Sequence, residues 1–174
     1  MKRIIIVAFF ALLLAVGLPG CQNPSDPLHD ALCEYSEIVA RELPDDLYLT
    51  IYYMDPKIST RYPLGKDDLI AFCDDGFGRI EVIEAEELKS HAALFRKLDA
   101  SALTPVQGEA HINARMYYVL ASESSGKILE VIVNDIHGYV FVNGVAVEEN
   151  PIFFELIKPF LTEEACNLWG IQIE

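Results

Sequence analysis

Residues 111–148 read HINARMYYVLASESSGKILEVIVNDIHGYVFVNGVAVE. Two runs rich in β-branched and aromatic residues, 111–122 and 127–135, are separated by the turn ESSGK, and a second turn at His137 and Gly138 leads into YVFV. Asn143 and Gly144 then stand between YVFV and VAVE. A two-residue loop of this kind makes a type I′ hairpin, because Asn and Gly tolerate the positive φ that both central positions require. Strands joined by such short turns pair antiparallel, since a parallel pair needs a long crossover. The stretch therefore predicts a β-meander.

The flanking segments supply helices and further strands. Leu28, Leu32, Tyr35 and Val39 recur at helical spacing and predict an amphipathic helix over 27–42. LYLTIYYM, 47–54, alternates Leu47, Leu49, Ile51 and Tyr53 with Tyr48, Thr50 and Tyr52, the pattern of a half-buried strand. KDDLIAFC reads as a short helix, GFGR turns the chain into a strand at 79–83, and Leu88, Ala92, Phe95 and Leu98 mark one helix over 84–98. Asn150 caps a helix opened by Pro151, Pro159 stops or kinks it, and Thr162 starts a last helix that Gly170 can end. Strands clustered in a meander with helices around them predict a single two-layer α+β domain over 28–174, a mostly antiparallel sheet with its helices on one face.

The first residues carry a different signal. Met1, Lys2 and Arg3 precede an apolar run from Ile4 to Leu18, and no acidic residue occurs before Asp26. A cationic start followed by about 7–15 apolar residues is the layout of a secretory signal peptide, and the run falls short of the roughly 20 residues that span a bilayer. Leu18, Pro19, Gly20 and Cys21 resemble the lipobox of bacterial lipoproteins at the aliphatic, final small and cysteine positions, with Pro19 departing at the second small position. The resemblance covers residues 1–21. It implies a signal peptide over 1–20, a lipidated Cys21 as first residue of the mature chain, and an extracytoplasmic location anchored to the membrane. Residues 21–27 form the lipidated cysteine and tether, and QNPSDP reaches at most about 20 Å.

Thirteen basic side chains against 27 acidic ones give a net charge of −14. That charge repels nucleic acid and anionic lipid, so no nucleic-acid partner is expected and membrane attachment falls to the lipid. Beyond Cys21, the cysteines are Cys33, Cys73 and Cys166, an odd number that allows at most one disulfide among them or three unpaired thiols. No CxxC, HExxH or nucleotide-binding glycine motif is present, and no metal or cofactor is implied. Asp74-Asp75-Gly76 lacks the alternating ligands and closing glutamate of a calcium loop. Ser124-Ser125-Gly126-Lys127 matches the S-x-x-K of penicillin-recognising enzymes, but it falls in a turn between strands and its partner motifs are missing.

What remains is a surface. With Leu47, Leu49, Ile51 and Tyr53 facing the helices, Tyr48 and Tyr52 line the other face, and Arg115 and Tyr117 on the neighbouring strand join them as a candidate binding surface. Arg61 and Arg115, rare positive charges, make a second choice. The expectation is a non-enzymatic binding, accessory or inhibitor-like module with an envelope protein as partner. The alternative is a small envelope hydrolase using a carboxylate acid/base pair, and a two-lobed solute-binding protein would need a longer chain.

Overall fold

The computed structural model describes residues 26–135 and 138–172. Cys21 and the rest of residues 1–25 lie outside the described residues, as does His137 in the second meander turn, whereas Asp26 and Pro27, expected in the tether, cap and open the first helix because the Asp26 carboxylate accepts its free N–H groups. Among the described residues, no helix is long and apolar enough to cross a membrane.

Six strands form one open antiparallel sheet: β1 (Leu47–Tyr53), β2 (Arg79–Glu84), β3 (Ala114–Ser122), β4 (Gly126–Asn134), β5 (Tyr139–Val142) and β6 (Val145–Glu148). Their spatial order is β2-β1-β3-β4-β5-β6. The meander is present as β3 to β6, and β1 and β2 extend it on the other side. Asn143 and Gly144 turn the last hairpin at φ 46° and 86°. The Asn143 side chain does more than tolerate that turn. Its Oδ1 accepts from the Glu130 N–H, and its Nδ2 donates to the carbonyls of Ala31 and Ile128, tying the hairpin to the first helix.

The helices are α1 (Pro27–Ala40), α2 (Lys66–Asp74), α3 (Ala85–Ser90), α4 (Ala92–Phe95), α5 (Ile152–Glu155) and α6 (Glu163–Trp169), with 3-10 turns at Ala100–Ala102 and Lys158–Phe160. Asp26 caps α1 through the N–H groups of Leu28 and His29, and the stripe Leu28, Leu32, Tyr35 and Val39 is buried. Thr162 caps α6 and Gly170 ends it in the left-handed conformation. The helix expected over 84–98 is instead two short ones. His91 leaves the helical basin at φ −110°, ψ 16°, Ser90 Oγ hydrogen-bonds the Glu87 carbonyl, and the His91 ring packs edge-on against Phe160. Leu88, Phe95 and Leu98 stay buried, so the stripe survives the break.

One face of the sheet carries the main core. Leu49, Ile51, Tyr118, Leu120, Val131 and Val142 meet Leu28, Leu32, Tyr35, Leu88, Phe95, Phe153 and Leu156 from the helices. Two phenols are sealed inside it, Tyr35 donating to the Phe95 carbonyl and Tyr118 to that of Phe153. The helices are not confined to this face. Leu69 and Cys73 of α2 pack on the opposite side with Tyr117, Ile132 and Phe141, forming a second, smaller core. The sheet is thus covered on one face except near the start of β2, and partly on the other.

Entry into β2 depends on a close approach. A Cβ on Gly78 would lie 2.5 Å from Cys73 Sγ and 2.8 Å from the Tyr53 carbonyl oxygen. Gly78→Ala is therefore expected to destabilise the domain by about 1–3 kcal/mol through overpacking. A urea melt unchanged from wild type would show that α2 can retreat from the sheet without loss.

Candidate functional site

The second face of the sheet divides into a covered and an open part. Tyr52 and Tyr117 are register partners and stack with ring centroids 5.7 Å apart. Beside them the Glu130 carboxylate accepts from Lys66 Nζ at 3.0 Å, Lys127 Nζ at 3.2 Å and the Tyr117 hydroxyl at 3.2 Å, with the Lys66 ammonium also over the Tyr117 ring. Burial alone would raise the Glu130 pKa, but the two lysine hydrogen bonds outweigh it and hold it below the ordinary value. Lys66 opens α2, so this cluster fastens the helix to the sheet.

Two of the four residues expected to form the surface are buried, Tyr117 under that fastening and Arg115 elsewhere. Tyr117 is 5% exposed and Arg115 2%, so neither presents its side chain to a partner. Arg115 also lies away from the tyrosines. Its guanidinium bonds Asn113 Oδ1, the Ala114 carbonyl and Thr60 Oγ1, and pairs with Asp135 at 3.2 Å. Arg61 comes near it across an open cavity of about 270 Å³ that also takes in Lys57 and Tyr62. Arg61 stacks its guanidinium over the Tyr62 ring.

Tyr48 and Tyr52 remain half-exposed at the margin of α2. Their neighbours on β2 continue the open part, since Tyr48, Thr50 and Tyr52 oppose Glu84, Val82 and Ile80. Val82 is 60% exposed and Ile80 39%, and Phe77, in the turn before β2, is 67% exposed. Sequence reading passed over these three because RIEVI looks like any half-buried strand. Its place at the sheet edge makes the outer side chains accessible.

A cavity of about 420 Å³ lies at the start of β2, between Phe77 and α6. Tyr53, Arg79, Glu81 and Glu164 line it together with Met54, Ile58 and Leu168. The Tyr53 hydroxyl donates to Glu81 Oε1, and burial together with the Glu81 charge pushes the Tyr53 pKa up to about 12. Burial likewise raises those of Tyr35, Tyr117 and Tyr118. A phenol whose folded pKa exceeds its unfolded value stabilises the fold fully below pH 10.0 and loses that contribution as pH rises toward 12. Alkaline titration should therefore unfold the domain above pH 10, with tyrosinate absorbance and loss of circular dichroism rising together. Tyrosines ionising with the dichroism intact would contradict it.

Asp46, hydrogen-bonded by Ser124, and Asp99, bonded by the Ser101 N–H, are held below the ordinary carboxyl range, as Glu130 is. A general acid needs the opposite shift. Among the described residues no group of three or more His, Cys, Asp or Glu could hold a metal ion. Cys33 is disulfide-bonded, whereas Cys73 and Cys166 are free, buried thiols whose pKa burial pushes up. The chain matches no protein-family model, no curated protein and no solved structure to which it was compared.

Proposed function

We propose that this chain is a bacterial envelope lipoprotein, anchored through diacylglycerol on Cys21, whose domain is a non-enzymatic binding module for another envelope protein. The observation that carries the reading is the open part of the second sheet face, where exposed Ile80 and Val82 stand on the edge strand next to half-exposed Tyr48 and Tyr52 of β1. Apolar and aromatic side chains gathered this way mark interaction surfaces more often than isolated exposed residues do. The acidic chain adds electrostatic steering toward a basic partner. The lipobox-type Leu18–Cys21 supports the anchor, and two or more acyl chains give stable attachment.

The two halves of the proposal are tested separately. Cys21→Ser should release the protein from the membrane fraction, and the intact mass of the wild-type protein should carry a diacylglyceryl thioether. One sulfur cannot hold both a thioether and a disulfide, so a mass showing Cys21 as cystine or as free thiol overturns the anchor. For the surface, a photoreactive residue in place of Tyr48 should yield a discrete protein adduct in intact cells, weakened by rising salt, while the same residue at Ser36 on the exposed side of α1 yields none. Equal labelling from both positions overturns the assignment of the face.

A further inference from the structure

The two edges of the sheet are not treated alike. Along β6 the segment Thr104–Val106 closes the edge: Val106 N–H donates to the Ala146 carbonyl at 2.9 Å, Glu148 N–H to that of Thr104 at 2.8 Å, and Pro105 bridges Val147. At the other end, among the described residues, β2 pairs only with β1. Its register runs from Tyr48↔Glu84 to Tyr53↔Arg79 without a bulge. RIEVIE contains no proline and no lysine, and the charges it does carry, Arg79, Glu81 and Glu84, select against an acidic strand more than against a basic one. An uncovered, regular edge is a template for another strand.

The side chains of β2 specify what that strand would be. On the second face, Ile80 and Val82 offer an exposed apolar strip, extended by Phe77. On the other face, Glu81 looks into the 420 Å³ cavity, where Glu164 adds a second carboxylate and Met54, Ile58 and Leu168 line the wall. Glu84 ends the strand, and Glu86 and Glu87 follow in the first turn of α3. Arg79 is the one positive charge among these groups. A strand laid beside β2 would thus meet Ile80 and Val82 on one face, with Glu84 at the end of that face, and the Glu81 carboxylate next to Arg79 on the other, in the period of two that strands impose. A second copy of the chain fits poorly, because two chains of net charge −14 repel.

We propose that the free edge of β2 takes an extended segment of a partner protein as a seventh strand, a segment alternating apolar residues with Lys or Arg, and that one basic side chain enters the cavity between Glu81 and Glu164. This rests on the reading of the domain as a binding module and names the partner chemistry of that surface. The apolar residues of the segment lie along Ile80 and Val82. The aliphatic stem of the basic residue packs on Met54, Ile58 and Leu168 while its charged end meets the two carboxylates.

The probe is a capped peptide alternating valine and lysine over the length of β2, titrated calorimetrically into the full chain in detergent. Binding is expected to be saturable and to weaken as salt rises. Glutamate in place of lysine, or N-methylation of alternate backbone amides, should weaken it at least tenfold. Glu81→Gln should weaken it several-fold, and Arg79→Gln, which removes the like charge, should strengthen it. Val82→Lys, at a position already 60% exposed, should leave the dichroism unchanged and abolish binding. No saturable binding of the valine–lysine peptide overturns the proposal, as does undiminished binding of the N-methylated peptide. Self-association in sedimentation that Val82→Lys abolishes also overturns it, assigning the edge to a second copy. Failure of the peptide with a retained Tyr48 adduct in cells would remove strand addition alone; loss of both would remove the binding-module reading as well.

Discussion

Asp135→Ala is expected to destabilise the domain by about 3–5 kcal/mol, because it leaves a buried guanidinium without its counter-charge. The side chains of Arg115 and Asp135 are 3% and 8% exposed and pair at 3.2 Å. Asp135 Oδ2 also accepts from Asn113 Nδ2 at 2.5 Å, and the remaining acceptors on Arg115 are neutral. The cluster reaches beyond the pair. Asn113 Oδ1 accepts from the Leu64 N–H, Ala114 N–H donates to the Leu64 carbonyl, and Met54 N–H to that of Arg115, so the same few residues hold the chain around 54–64 to the end of β3. A shift of roughly 2–4 °C per kcal/mol for a domain of this size makes the loss visible by thermal melting. Arg115→Met with Asp135→Leu removes both charges and should recover most of it. A single Asp135→Ala variant within 1 kcal/mol of wild type would mean that water reaches the guanidinium readily.

Phe153→Ala should cost a similar amount, about 3–5 kcal/mol, for an apolar reason. Phe153 is 0% exposed, at the centre of the contact between α5 and the first sheet face. Its carbonyl also accepts the Tyr118 hydroxyl at 2.9 Å. Removing the ring leaves a cavity that the short helix can close only by moving, and such movement strains the Tyr118 bond. Phe153→Leu keeps most of the volume and should cost much less, so the two variants compared in urea melts separate cavity from chemistry. Equal losses in both would indicate that ring shape, not volume, fixes α5 on the sheet.

Much of the local structure follows from short-range pattern. Leu28, Leu32, Tyr35 and Val39 sit on one face of α1 because a helix brings every third or fourth residue round, and all four are buried. The alternation in β1 sorts Leu49 and Ile51 to one core and Tyr48 and Tyr52 to the other side. The candidate site was less legible. Tyr48 and Tyr52 were found by alternation, yet Tyr117 and Arg115, with the same alternation, are buried. For Arg115 the difference is the register break between Ala114 and Met116 and the Thr60, Asn113 and Asp135 side chains around its guanidinium; for Tyr117 it is α2. Leu69 and Cys73 give that helix an apolar stripe but do not say which face of the sheet will receive it. The break at His91 was equally hidden, since the ring's packing against Phe160, far along the chain, accompanies a departure from the helix that local spacing did not show.

Periodicity, caps and turn chemistry were sufficient to name the meander, the Asn143-Gly144 hairpin, the principal helices and the α+β class, because each depends on residues within a few positions of one another. Strand order, the closure of β6 by Thr104–Val106, the exposure of Ile80 and Val82, and the seating of α2 over Tyr117 depend on segments distant in sequence. A strand's pattern says which side chains share a face. Whether that face meets a helix, a neighbouring strand or solvent is settled by packing the whole chain, where the gain from burying apolar surface is shared among all the elements at once.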